Sequence, residues 1–459
     1  MRAAGVEYRG LSALRGSLAF VSAEGASFQE EVELRGDDGQ VRAGRVLSAS
    51  RDAAVIEVLG PTAGLTLRGS SVRLCGRPLR VGVGRELLGR VLDGLGRPRD
   101  GLPPPVHDDV RAIEGAPINP MRREYPRDFL ETGISAVDCL TSVVLGQKIP
   151  LFTQSGLPHD ELMRQIVRQA RAPGVESFAV VFAALGLPRE VAQEYEQDFK
   201  KSGALRRTVA FLALADDPPA ERLVAPRCAL TAAEHLAFDL GMHVLVVLHD
   251  VTAYGEALRE AAAARGEPPA RKGYPGYLYS DLASLFERAG RIQGRPGSLT
   301  QLPVVTLPAG DITHPIPDLT GYVTEGQIVL DRDLHRRGVY PPIDVLPSLS
   351  RLMEHGIGEG RTRADHSPLA RQLYACAARA ARARALESII GRDELSEAER
   401  RFLDFGAAFE GRFVGQGRDE SRPIARTLEL GWEVLRGLPD AELTRIPKDL
   451  LARMRGSAP

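Results

Sequence analysis

The sequence predicts an α/β protein in three consecutive parts, and three changes of pattern carry that prediction. Short strands fill roughly residues 1–72, apolar strands alternate with amphipathic helices over 73–350, and helix alone runs over 351–459. In the first part Val32 and Leu34 alternate with Glu31, Glu33 and Arg35, and Ile56 and Val58 flank Glu57. That period of two marks strands with one buried face. Asp38-Gly39 between such runs signals a hairpin turn, because both residues tolerate positive φ. The reading is a small β-barrel or sandwich.

The second part supplies strand candidates at 178–185, 209–215, 244–248 and 304–307. Helix candidates lie at 160–171, with Leu162, Met163, Ile166, Val167 and Ala170 on one face, and at 278–290, with Leu278, Leu282, Leu285, Phe286 and Ala289. Alternation of this kind implies a largely parallel sheet. Beyond residue 351 the Ala- and Arg-rich stretch Ala377–Ile390 is helical, and more helices follow.

Composition narrows the function. Lys+Arg at 59 against Asp+Glu at 60 leaves a net charge of −1, which argues against a surface built to grip nucleic acid or anionic lipid. The longest apolar run, Phe178–Leu185, is eight residues, whereas a spanning helix needs about 20. No membrane insertion is expected, and the N-terminus has no apolar signal core. Cys75, Cys139, Cys228 and Cys376 lie at least 64 residues apart, so neither metal nor redox spacing is present and all four read as buried, reduced thiols. Only five basic residues are lysine: Lys148, Lys200, Lys201, Lys272 and Lys448.

The stretch Gln147–Leu162, QKIPLFTQSGLPHDEL, stands where an α/β nucleotide-binding domain places its phosphate loop. A working loop needs G-x-x-x-x-G-K-[ST], with glycines for backbone approach, lysine for the phosphates and a hydroxyl for Mg²⁺. At that spacing the chain offers Thr153, Pro158, His159 and Asp160, and Lys148 lies ahead of the loop. Proline lacks a donor, histidine is mostly neutral at pH 7, and Asp160 repels phosphate. A plain strand-to-helix turn is the better reading. Asp250, ending Val244–Asp250, has the place of a Mg²⁺-holding carboxylate, but a polar residue leaving a buried strand explains it as well. Gly356, Gly358 and Gly360 read as a flexible turn, His314 as a structural histidine without metal-spaced partners, and Asp216-Asp217 before Pro218-Pro219 as a solvated turn.

Several long strings are too specific for composition. DITHPIPDLTGYVTEGQI (Asp311–Ile328), GYPGYLYSDLASLFERAGR (Gly273–Arg291), QKIPLFTQSGLPHDE, LPSLSRLM (Leu346–Met353), LGRVLDGLGRPRDG (Leu88–Gly101), ETGISAVD (Glu131–Asp138) and GEGRTRADH (Gly358–His366) closely resemble the B subunit of V/A-type rotary ATPases. The resemblance runs from about residue 8 to about residue 447. It implies an N-terminal β-barrel, a central P-loop-NTPase-like (RecA-like) domain with a degenerate phosphate loop, and a C-terminal helical domain. It further implies a non-catalytic, regulatory subunit, alternating with catalytic A subunits in a three-plus-three ring beside central-rotor and peripheral-stalk subunits, peripheral on the cytoplasmic face of a membrane.

In that setting the position matching the arginine finger is Arg351 in LPSLSRLM, and Tyr322 in TGYVTEGQ is expected at the same interface. ATP or ADP with Mg²⁺ would sit at the interface with the A subunit, and this chain alone is expected to hold no cofactor and no metal. The chain has His249-Asp250 where the family more often has Thr-Asp, and it also departs at Ser155-Gly156. A self-sufficient homohexameric export ATPase shares the architecture but needs a phosphate-loop lysine, which is missing. A Rho-like nucleic-acid ring needs a basic, aromatic barrel, yet residues 1–72 hold eight basic and nine acidic side chains and only Tyr8, Phe20 and Phe28.

Overall fold

The computed structural model describes residues 6–456, which divide into two compact units that the chain enters more than once. The first unit comprises residues up to 119, 179–288 and 295–297; the second holds 120–178, 289–294 and the rest from 298.

In the first unit, β1 (Glu7–Arg9), β2 (Ala13–Arg15), β3 (Leu18–Val21), β4 (Glu30–Arg35), β5 (Val41–Ala49), β6 (Ala54–Leu59) and β7 (Ser71–Pro78) form one antiparallel sheet. Its order is β1-β7-β4-β5-β6-β3-β2. The two edge strands are consecutive in the chain, joined only by Gly10, Leu11 and Ser12, so the sheet has to curl until its edges meet. The interior of that curl is Leu11, Val32, Leu34, Val46, Ile56, Val58 and Val72. The β4–β5 turn falls at Asp38-Gly39, with Gly39 at φ 73° and Asp38 paired to Arg42 at 2.5 Å. The division drawn at residue 72 lies inside β7, which continues to Pro78.

Glu57 departs from the half-buried pattern. It is buried and paired with Arg45 at 2.7 Å, because the outer face of β6 lies against the helix Pro219–Glu234 of the same unit. Cys75 also differs from expectation: it is half-buried, whereas Cys139, Cys228 and Cys376 are buried, and all four are free thiols.

The rest of the first unit orders strands 243–249, 178–187, 208–214 and 91–93 side by side. Val180 to Leu187 run parallel to Thr208 to Leu214, and Ala210 pairs in parallel with Val91. The helix expected over 278–290 ends at Phe286. The cause is Arg288, which turns fully into the interior. Its Nε and Nη2 each donate to Glu234 at 2.6 Å, Nη1 donates to the Ile113 carbonyl at 3.0 Å, and Nη2 to Thr231 Oγ1 at 2.8 Å.

In the second unit, Leu151–Thr153 lies between Ser298–Thr306 and Gly326–Leu330, parallel to both, and Ile343–Ser350 closes the edge antiparallel to Gly326–Leu330. The strand Ser298–Thr306 begins well before the expected Val304. Its Thr300 Oγ1 accepts from the Gly146 N–H at 2.8 Å. The helix His159–Gln169 stops short of residue 171 because Arg171 bridges back to Glu131.

Helix His366–Ile390 starts eleven residues before the Ala-rich stretch and packs on Glu397–Ala408 and Ile424–Leu435. Ser396 and Glu399 form a capping box at the start of Glu397–Ala408. Arg422, buried, donates to the carbonyls of Arg412, Phe413 and Gly415 and ties this helical part to Ser135 Oγ at 3.3 Å. Among the described residues no helix is long and apolar enough to cross a membrane.

His366 adds a titrating joint. Its Nε2 lies 3.0 Å from the Cys139 carbonyl and its Nδ1 3.0 Å from Thr362 Oγ1, and burial depresses it from 6.5 to about 4. The unfolded chain therefore binds this proton first. Stability is complete above pH 6.5 and drains away as pH falls toward 4, at about 1.4 kcal/mol per pH unit. Asp365 beside it is pushed up by burial but held down overall by Arg363 and Trp432, so its loss comes at lower pH. Trp432, the one tryptophan, donates to Asp365 Oδ2 at 2.6 Å and reports on this joint. The denaturant midpoint of Trp432 fluorescence should fall between pH 6 and 4.5, and His366→Gln should flatten that fall; an equal slope in the variant rules the histidine out.

Candidate functional site

The pairing of Gly326 with Ser350 brings the end of one strand beside the start of its neighbour. One step beyond, the Arg351 N–H donates to the Glu325 carbonyl at 2.9 Å, and Arg351 Nη1 donates to the Thr324 carbonyl at 3.2 Å. Backbone carbonyls thus hold the arginine at its main chain and at one guanidinium nitrogen, and the residue is exposed. Among the described residues no carboxylate pairs with its guanidinium. Tyr322, at the end of the helix Pro315–Val323, is 75% exposed two residues from the Thr324 carbonyl, and its hydroxyl has no partner among the described residues. Tyr322 thus stands two residues along the chain from the carbonyl that Arg351 Nη1 meets.

Behind that edge lies a knot that the sequence did not single out. Lys148 Nζ pairs with Glu325 Oε1 at 2.8 Å, the Lys148 N–H donates to Glu325 Oε2 at 2.8 Å, and the Glu325 N–H donates to the Lys148 carbonyl at 2.9 Å. Gln147 Nε2 donates to the Glu325 carbonyl at 3.0 Å and to Ser350 Oγ at 2.9 Å. Lys148 is 4% exposed, so it belongs to the frame and not to the surface. The advance signals were its rarity as one of five lysines and its place just ahead of the loop.

The loop 154–158 is a strand-to-helix turn with Gly156 at φ 83°. Its interior is occupied by the chain itself. The His159 ring lies 2.9 Å from the Leu157 carbonyl and 3.3 Å from Thr153 Oγ1 through Nδ1. Arg332, also unforeseen, donates to the Ser155 carbonyl at 2.9 Å and approaches Gln154 Oε1 at 3.3 Å. Asp160 and Glu161 occupy the first helical turn, where a phosphate would otherwise meet the positive end of the dipole. Acid stands where a phosphate loop needs base.

The remaining candidates take structural places. Asp250 caps the helix Val251–Ala264, accepting from the Thr252 N–H at 2.8 Å, and His249 ahead of it is buried. His314 precedes the helix Pro315–Val323. Asp217 bonds Arg99 at 2.6 Å and the Leu214 N–H at 2.8 Å, while Asp216 pairs with Arg189 at 2.5 Å. Gly358 and Gly360, at φ 100° and 78°, make the turn before His366, but Gly356 packs against Val144.

Residues 133–350 match the ATP synthase alpha/beta family, nucleotide-binding domain, and residues 355–455 match the C-terminal domain of V and A type ATP synthase. The V-type ATP synthase beta chain of Anaeromyxobacter dehalogenans is 56% identical, covering 98% of this chain and 96% of the relative. The B subunit of the A-type ATP synthase of Nitrosopumilus maritimus is 50% identical, with 96% of each covered. Among solved structures, the ATP synthase subunit NeqB from Nanoarcheaum equitans aligns with a TM-score of 0.75 and 35% identity, over 93% of this chain and 100% of that one. The chain belongs to the family of V-type ATP synthase beta chains and A-type B subunits, and so is a subunit of a V/A-type ATP synthase complex.

The edge that carries Arg351 tolerates only glycine at its base. Gly326 has φ 147°, and a Cβ there would collide with the Leu349 carbonyl oxygen. Gly326→Ala should lower stability by about 1–3 kcal/mol in thermal or denaturant unfolding; a change below about 0.5 kcal/mol would show that the edge relaxes freely.

Proposed function

We propose that this chain is the non-catalytic B subunit of its complex, alternating with catalytic A subunits in a three-plus-three ring and lending Arg351 to the neighbouring ATP site. The observation that carries the reading is the state of Arg351: held on two carbonyls, one by its main chain and one by Nη1, exposed, and without a carboxylate partner among the described residues. An arginine held this way keeps its charge for an anion on another molecule. Tyr322, exposed two residues along the chain from Thr324, would meet the same neighbour.

The chemistry is electrostatic. As a phosphoryl group transfers, negative charge spreads over its oxygens, and a planar guanidinium with fixed donors meets that charge. A finger of this type is worth roughly 10³–10⁵ in rate, or about 4–7 kcal/mol. ATP or ADP and Mg²⁺ would be held chiefly by the A subunit, because the loop 154–158 here is closed by His159 and Arg332 and carries acid at its helix. In the whole complex, turnover would couple to ion movement across a membrane, with this chain peripheral on the cytoplasmic face beside central and peripheral stalks. The same loop disfavours a self-sufficient homohexameric motor.

Arg351→Ala should leave the ring assembled and reduce its ATP turnover by about 10³-fold or more. Assembly is checked by native mass and turnover by steady-state assay; wild-type turnover from an assembled variant would sink the assignment. The isolated chain should hydrolyse no ATP, and turnover that scales with its concentration after repurification would overturn the non-catalytic reading.

A further inference from the structure

We infer that Lys148 is a positioning residue for Arg351, acting through Glu325; the inference rests on the reading of Arg351 given above. Lys148 holds both carboxylate oxygens of Glu325, one through Nζ and one through its N–H, each at 2.8 Å. The backbone of the same Glu325 holds Arg351 at 2.9 Å. One residue therefore faces the lysine with its side chain and the arginine with its main chain.

Two consequences follow from that division. The first is rigidity, since the lysine pins the Thr324–Glu325 turn whose carbonyls seat Arg351. The second concerns charge. Glu325 and Arg351 lie across from each other one step past the Gly326–Ser350 pair. Opposed residues on antiparallel strands have Cβ atoms about 4.5–5.5 Å apart, well within reach of a carboxylate–guanidinium bond. A Glu325 carboxylate released by the lysine would be drawn to Arg351 and would cancel the charge that the arginine is held out to deliver. Lys148 keeps that carboxylate occupied, and at 4% exposure it is too deep to meet a ligand itself.

The test uses the assembled ring with its own A subunits and compares Lys148→Met, Lys148→Arg, Glu325→Gln, Lys148→Met/Glu325→Gln and Arg351→Ala. Lys148→Met should lower kcat about 10-fold or more while KM moves less than about 3-fold, since a misplaced group loses transition-state stabilisation before binding. Lys148→Arg should retain turnover within about 3-fold of wild type, because it still pairs with Glu325. The double variant removes the released charge and should recover to within about 3-fold of Glu325→Gln alone. Wild-type turnover in Lys148→Met, or a double variant no better than the single one, overturns the inference. Should Lys148→Met fail to assemble, recovery of assembly and turnover in the double variant supports the inference, and failure of both variants to assemble overturns it as a purely structural pair. Wild-type turnover in Arg351→Ala would instead sink the finger reading itself.

Discussion

The edge that presents Arg351 depends on the Glu325 carbonyl. It accepts from the Arg351 N–H at 2.9 Å and from Gln147 Nε2 at 3.0 Å, while the side chain of the same residue is clamped by Lys148. That carbonyl stands at the junction of three chain segments distant in sequence: the approach to Leu151–Thr153, the start of Gly326–Leu330 and the end of Ile343–Ser350. Gly326 is what lets the last two approach, since any side chain there would collide with backbone and not with a movable group. A guanidinium on a free loop would spend conformational entropy each time it met its target; one seated on a sheet edge has already lost much of that freedom in folding.

The chain uses arginine in two opposite ways, and burial separates them. Arg288 and Arg422 are buried and spend their donors on carbonyls, hydroxyls and one carboxylate each, Glu234 and Glu420. Arg45 and Arg227 bracket Glu114 at 3.5 and 3.2 Å in the first unit, and each has a second carboxylate. A buried guanidinium is stable only when its charge and fork of donors are answered locally. Arg351 donates to carbonyls through its N–H and Nη1 but has no carboxylate partner among the described residues, and that difference makes it a candidate for work outside its own chain.

Much of the fold was legible because each part has its own period. Alternation in Val32–Arg35, helical spacing in Leu162–Ala170 and unbroken apolar runs such as Phe178–Leu185 follow from which faces are buried. The misplaced ends share a different cause. Helix 278–286 stops early for Arg288, helix 159–169 stops for the Arg171–Glu131 bridge, and strand 298–306 starts early with Thr300 bonded to Gly146. Each boundary is set by a polar residue whose partner is remote in sequence, and no local pattern announces such a partner. The site divides in the same way. Arg351 and Tyr322 were nominated through long strings, but Lys148, Gln147 and Glu325 meet only in three dimensions, and Arg332 reaches the loop from 177 residues away.

The altered loop is also compensated within its own fold. In a working phosphate loop the bound anion answers the positive end of the following helix and the loop N–H groups. Here Asp160 and Glu161 place two carboxylates in the first turn, His159 folds back on the Leu157 carbonyl, and Arg332 bonds the loop crest. Carboxylates in a first turn are each worth about 0.3–1 kcal/mol to an exposed helix. The helix thus receives from its own side chains the charge that a nucleotide would bring. The same two carboxylates that steady the loop raise the electrostatic barrier to phosphate entry. The stability of this segment and its resistance to phosphate therefore share one cause, and under the proposed function the Arg351 edge is where this chain would meet a phosphate.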